Sequence, residues 1–286
     1  MNILRKRKAI SLILKLTVWL CGVLTVGILA YILLFILSRG IPKISMDFLL
    51  GEYNSDTLSA FSSIVTTVEM IVISLSVSVP IGVFCAIYLT EYAKRGNKTV
   101  KIIRLAVDTL AGIPSIVFGL FGMILFVKIL GFRASVLSGI CTLSIMILPV
   151  IISSSEEAIK TVPDMYREGS LGLGAGRLRT VFKIVLPTAM PGILSGVILA
   201  TGRIVGETAA LIFTSGTNVL KNPTLDLMAS QRTLAIHMYM LASEGLPHSK
   251  EMAFATGSIL IIIVFLANYT TTLLAGKLGR LNDEQN

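Results

Sequence analysis

Six strongly apolar stretches, near residues 16–37, 64–90, 105–127, 134–153, 188–213 and 252–275, constrain this chain of 286 residues more than any other feature. Each approaches or exceeds the roughly 20 residues that an α-helix needs to cross a bilayer. A spanning segment must satisfy its own backbone hydrogen bonds, so the stretches are predicted as helices. Composition agrees: 54% of residues are hydrophobic, 14% are charged and the mean hydropathy is +0.83. A soluble domain carries about 25% charged residues. The expectation is an all-α integral membrane protein with six transmembrane helices and no separate soluble catalytic domain.

The net charge of +9 raises the question of a nucleic-acid partner, and its distribution argues against one. With the N-terminus placed in the cytoplasm, the inner segments hold five Lys and Arg at residues 5–15, five at 94–104, five at 160–183 and two at 277–280. The outer segments hold seven: Arg39, Lys43, Lys128, Arg133, Lys221, Arg232 and Lys250. This is the positive-inside asymmetry, and it places both termini in the cytoplasm. The basic N-terminus is not a signal peptide, because the run Leu16–Leu37 is too long and no Ala-x-Ala site follows. Cys21, Cys85 and Cys141 all fall inside spans, where they read as small apolar packing residues.

The first span carries no charge between Leu16 and Leu37 and reads as a peripheral, lipid-facing helix. Spans two to five each carry a proline in or beside the apolar run: Pro80, Pro114, Pro149 and Pro191. Proline removes a helix hydrogen bond, and the freed carbonyl needs a partner or a water-lined cavity. A bundle around a pathway is the reading. The fifth span has two small-residue stripes, Gly192–Gly196–Ala200 and Gly202–Gly206–Ala210, which predict close packing on two sides and a central position. Between spans five and six, Leu225–Leu241 is predicted as an amphipathic helix lying on the outer surface.

The segment 156–188, between spans four and five, is polar and glycine-rich. It reads Glu168-Gly169-Ser170, then Gly174, then Ile184-Val185-Leu186-Pro187. Two short helices joined at Gly172–Gly176 would form an exposed elbow. Glycine permits the turn, small residues at 169 and 170 permit deep docking, Glu168 offers a charge to a partner, and Pro187 ends the second helix. Gly172-Leu-Gly174-Ala-Gly176 is not a dinucleotide loop, since it follows no strand and its spacing is wrong.

Few charges fall within the spans: Glu69, Asp108, Arg203 and Glu207. Arg203 sits near mid-membrane, where an arginine costs about 2.5–3.5 kcal/mol on insertion scales and usually faces a cavity or a partner. Glu207 follows four residues later and is expected on the same helical face, either as a structural ion pair with Arg203 or as part of a substrate path. Asp108 and Glu69 lie nearer span ends and read as solvated or interface residues. His237 and His248 fall in the outer loop with no metal-binding pattern.

The elbow resembles, position for position, the cytoplasmic coupling loop of ABC-importer permeases. The runs Gly202-Arg-Ile-Val-Gly-Glu-Thr-Ala-Ala-Leu211 and Gly112-Ile-Pro-Ser-Ile-Val-Phe-Gly-Leu-Phe121 resemble the PstA-type permease subunits of phosphate ABC importers. The family usually has two alanines where this chain has Gly169 and Ser170. The resemblance implies an ABC-importer (MetI-like) permease fold over residues 63–276, after a basic N-terminus at 1–15 and a first helix and loop at 16–62, with a cytoplasmic tail at 277–286. It implies a non-enzymatic subunit of a phosphate importer in a bacterial or archaeal-type plasma membrane. It further implies four partners: a sister permease of the PstC type, a dimeric ATPase that binds the ATP and magnesium, an extracytoplasmic phosphate-binding protein, and inorganic phosphate.

Glu168, Gly169, Ser170, Gly174, Ile184, Leu186 and Pro187 are then the residues expected to couple to the ATPase. Arg203, Glu207, Thr208, Pro114 and Ser115 are expected along the substrate pathway. Arginine suits phosphate because its planar, permanently charged fork engages two oxygens at once. A carboxylate at Glu207 would accept a hydrogen bond from protonated phosphate and disfavour sulfate. Permeases for phosphonate, sulfate or molybdate share the elbow and remain an alternative. A membrane enzyme would need a nucleophile with a base, or a metal cluster, in the spans, and neither is present. A self-powered transporter would need no elbow.

Overall fold

The computed structural model describes residues 2–54, 57–93, 96–245 and 247–283, with side chains left out at 2–6, 8–9, 247 and 274–283. The charge-count residues Lys94 and Arg95 and the last residues of the tail lie outside the described residues. Among the described residues all regular structure is helical. Among those residues five helices are long and apolar enough to cross a membrane, or six if one bent pair counts as a single span.

The first long helix, α1 (Asn2–Gly40), is exposed along its apolar run, as a lipid-facing helix should be. Near its end it packs on α12 (Pro247–Asp283), where Ser258 Oγ donates to the Ile36 carbonyl at 3.2 Å. Lys43 pairs with Glu251 at 2.8 Å at the same end. A short helix, α2 (Met46–Leu50), is capped by Ser45, whose hydroxyl accepts from the Phe48 N–H. It leads into α3 (Phe61–Ile87), extended by a wide turn over Tyr88–Tyr92.

The expected third span is broken. Helix α4 (Lys98–Ala111) and α5 (Ser115–Gly122, extended by a wide turn to Ile129) meet at 103°. The cause is local. Pro114 has no N–H to continue α4 and biases Ile113 away from helix, so α5 starts afresh with Pro114 as its cap at ψ 141°. Only two of the residues in α4 are buried, Val100 and Val107, so it lies on the bundle rather than within it.

Helix α6 (Val136–Lys160) is the most enclosed span, with 67% of its apolar window buried. Met146, Ile147 and Ile151 are fully enclosed among residues of α3 and α9 (Leu186–Gly206). The first small stripe of α9 packs as expected. A side chain at Gly192 would meet Ala158 of α6 at 2.6 Å, and one at Gly196 would collide with Ser154. Of the second stripe only Ala210 packs within this chain, buried against α5, while nothing lies within 4 Å of a Cβ at Gly202 or Gly206. The expected central position therefore belongs to α6, and α9 keeps an open side.

The fifth span also ends early. Helix α9 stops at Gly206, and after an extended Glu207 (ψ 121°) the short α10 (Ala209–Thr214) begins. The surface helix expected over Leu225–Leu241 is instead α11 (Leu234–Ser243), buried against α12 and α3, with Leu234, Ile236, His237 and Leu241 fully enclosed. Its residues are apolar on more than one face, so burial suits it better than a water surface.

Candidate functional site

The elbow forms as two helices, α7 (Asp164–Gly172) and α8 (Arg177–Thr180), joined through Leu173–Gly176. The Ala175 N–H donates to the Ser170 carbonyl at 3.1 Å and the Gly174 N–H to the Leu171 carbonyl at 2.9 Å. This crossed pair closes the end of α7 and requires a left-handed residue, here Gly174 at φ +85°. Leu173 at the tip is 92% exposed, and Glu168 and Gly169 are exposed beside it.

Two expectations for the elbow need correction. Ser170 is not on the exposed face of the elbow: it is buried and its hydroxyl bonds the Thr180 hydroxyl at 2.9 Å, tying the two arms together. Pro187 does not end a helix. It enters the first turn of α9, and α8 runs into α9 through a wide turn at Val181–Val185. In that turn the Leu186 N–H reaches back five residues to the Val181 carbonyl, which makes room for a ring that has no N–H to give. Ile184 and Leu186 lie in this continuous stretch, half-buried.

What fixes the elbow to the bundle was not anticipated from sequence. Arg167, on α7, donates to Glu91 Oε1 through Nε at 2.9 Å and Nη2 at 2.8 Å. The same guanidinium reaches the Ile159 carbonyl at 3.0 Å and the Val162 carbonyl at 2.6 Å, at the end of α6. Arg177 donates to the Glu91 carbonyl and lies 5.3 Å over the Tyr92 ring. Glu91 is the one acidic residue in the otherwise basic segment 88–104. That isolation was the available signal.

The proposed pathway residues gather around the broken third and fifth spans. A Cβ at Gly119 would lie 2.6 Å from Ala210 Cα, and one at Gly122 would lie 2.9 Å from Thr214 Cγ2, so α5 and α10 run side by side in parallel. The two distinctive runs, far apart in sequence, are thus one contact in space.

Of the two readings of Arg203 and Glu207, the ion pair does not form. Because α9 ends at Gly206, Glu207 leaves the helical face of Arg203, and its Oε1 accepts from the Ala210 N–H at 3.0 Å to cap α10. Glu207 is buried, whereas Arg203 is half-buried and makes no ion pair among the described residues. Arg203 lines an open recess with Val150, Ile198, Leu199, Gly202 and Asn268. Gly202, one of the two unpacked glycines, lines the same recess. Thr208 is half-buried, and Pro114 is exposed.

Asp108 is exposed, as expected, while Glu69 is half-buried with one oxygen enclosed and unbonded. At the other end of the bundle, Arg232 is buried and its Nε donates to His237 Nδ1 at 3.0 Å. Burial and the adjacent guanidinium push the His237 imidazole down to about 3, so it is neutral at physiological pH. No group of three or more His, Cys, Asp or Glu side chains is placed to hold a metal among the described residues.

An all-helical membrane bundle with an exposed, glycine-hinged elbow and two interrupted spans defines a membrane-embedded permease of the ABC-importer type. The chain belongs to the family described as binding-protein-dependent transport system inner membrane components, whose pattern matches residues 78–280. A probable ABC transporter permease, YqgI of Bacillus subtilis (strain 168), is 31% identical over 265 residues, covering 87% of this chain and 89% of that one. The phosphate transport system permease PstA of Pasteurella multocida (strain Pm70) is 30% identical over 252 residues, covering 87% and 85%. PstA 1 of Mycobacterium tuberculosis (strain CDC 1551 / Oshkosh) is 41% identical over 139 residues, or 49% of this chain and 45% of that one.

Among solved structures, the inward-facing MetNI methionine ABC transporter matches with a TM-score of 0.59 at 19% identity, covering 77% of this chain and 94% of that one. A bacterial alginate ABC transporter matches with a TM-score of 0.61 at 15% identity, covering 91% and 95%. At these identities the two structures establish the fold. The chain is a multi-pass membrane permease subunit of an ABC importer.

Proposed function

We propose that this chain is one of two permease subunits of an ATP-driven importer of inorganic phosphate, lining half of the translocation pathway beside a sister permease of the PstC type. A separate dimeric ATPase, which carries the ATP and magnesium, drives it through the elbow at 156–188, and an extracytoplasmic binding protein delivers the phosphate. The elbow and both termini face the cytoplasm of a bacterial or archaeal-type cell, a reading supported by the basic clusters at 5–15, 94–104 and 160–183.

The observation that carries the substrate is Arg203 on the open side of α9. A guanidinium placed within a span without a carboxylate partner is costly, and an anion passing along that side offsets the cost. Identity to proteins named as phosphate permeases over 87% of the chain supports the same substrate. The experiment is ATP-dependent uptake of radiolabelled phosphate by vesicles holding all the partners. Arg203→Lys keeps the charge but loses the fork and should lower uptake at least tenfold while the complex still assembles. Unchanged uptake would remove phosphate from the proposal.

A further inference from the structure

We propose that the crevice between the start of α4 and the elbow is a second anion site, separate from the Arg203 recess, which holds the phosphate headgroup of an anionic phospholipid. The crevice is a cavity of about 640 Å³. Lys101 and Arg104 of α4 line one wall, and Lys160, Arg167 and Arg177 line the other.

The charges there do not cancel. Arg167 is committed to Glu91 at 2.8 Å and Asp164 at 3.1 Å, while Arg104 and Lys160 share the single carboxylate of Glu156 at 2.7 Å each. Lys101 has no ion pair among the described residues. Five cations thus meet three carboxylates around one cavity, leaving a positive excess that suits a phosphate group.

A second feature selects a lipid over free phosphate. One position further round α4 from Lys101 and Arg104 stand Ile102 and Leu105, 66% and 68% exposed. A helix with basic residues on one face and bare aliphatic residues beside them lies at a membrane interface, heads on one side and acyl chains on the other. A lipid held there joins α4 to the end of α6 and to both arms of the elbow, so it would brace the part that receives the push.

The test is native mass spectrometry of the full chain, titrated with phosphatidylglycerol against phosphatidylcholine. One variant is Lys101→Ala with Lys160→Ala. A control variant, Lys98→Ala with Lys183→Ala, removes the same charge from the same end but outside the cavity. The expected result is one phosphatidylglycerol that survives stepwise delipidation on the wild type and on the control. The cavity variant should release it at about tenfold lower lipid excess, with equal melting temperatures in phosphatidylcholine. Equal loss in both variants would reduce the effect to general surface charge and overturn the site. Displacement of the lipid by millimolar inorganic phosphate would overturn the choice of a lipid. Lys101→Gln alone serves if the double variant melts early, and should give the same direction of effect.

Discussion

Arg167 and Glu91, 76 positions apart, meet through two nitrogens on one carboxylate oxygen at 2.8 and 2.9 Å. The same guanidinium also holds two carbonyls at the end of α6. One side chain therefore binds the end of α3, the end of α6 and the first arm of the elbow. The elbow is thereby tied to the ends of both spans.

Replacement of Arg167 by lysine supplies the charge at a single point and cannot reach the four acceptors on Glu91, Ile159, Val162 and Asp164 together. Each charged hydrogen bond lost removes about 1.5–3 kcal/mol. Arg167→Lys should insert normally and lower ATP-driven uptake about tenfold. Glu91→Gln keeps an acceptor oxygen and should do less harm. Uptake assays on matched membrane amounts separate the two.

Gly174 sits at φ +85° with open space around it, so backbone conformation and not crowding sets what is tolerated there. A non-glycine L-residue pays about 1–2 kcal/mol in that region. Gly174→Asp should leave the chain in the membrane and abolish its response to the ATPase. Gly174→Asn, which tolerates the left-handed region better, should keep part of it. Cross-linking of residue 173 to the ATPase, read beside uptake, shows whether docking or transmission has failed.

Glu207 caps α10 through an oxygen that an amide also possesses. Glu207→Gln should therefore preserve assembly while removing the negative charge, and phosphate-over-sulfate preference should fall about tenfold, the size of ~1.4 kcal/mol. Glu207→Ala removes the cap as well and should lower the yield of folded protein. Equal loss of preference and assembly in the glutamine variant would confine Glu207 to structure.

His237 binds fewer protons folded than unfolded between about pH 3 and 6.5, because burial beside Arg232 holds its folded value at about 3. Stability therefore rises with pH across that window and is lost as acid is added below 6.5, by about 2 kcal/mol at pH 5. Melting of the purified chain at pH 7.5 and pH 5 should show the fall, and His237→Asn, a neutral acceptor for Arg232, should flatten it. A variant that melts with the same pH dependence as the wild type would assign the titration elsewhere.

Hydropathy and charge bias made the number and texture of the helices legible, because both follow from bulk composition over about 20 residues. The elbow was legible because Gly174 and its spacing encode a backbone requirement. The breaks at Gly112–Pro114 and at Glu207 were not, since a window of apolar residues averages across a bend. The Arg203–Glu207 pair failed for the same reason: a four-residue spacing implies one face only while the helix continues. Glu91 and Arg167 meet through the tertiary fold, and the isolation of Glu91 in a basic segment marks it as unusual without naming its partner.

Vesicles reconstituted with this chain, a sister permease, an ATPase and a binding protein provide the most direct measurement. Labelled orthophosphate should accumulate only when ATP is supplied to the ATPase and should fail with Gly174→Asp. Accumulation by this chain alone, with no ATPase present, would contradict the reading of the elbow as the point where external work enters.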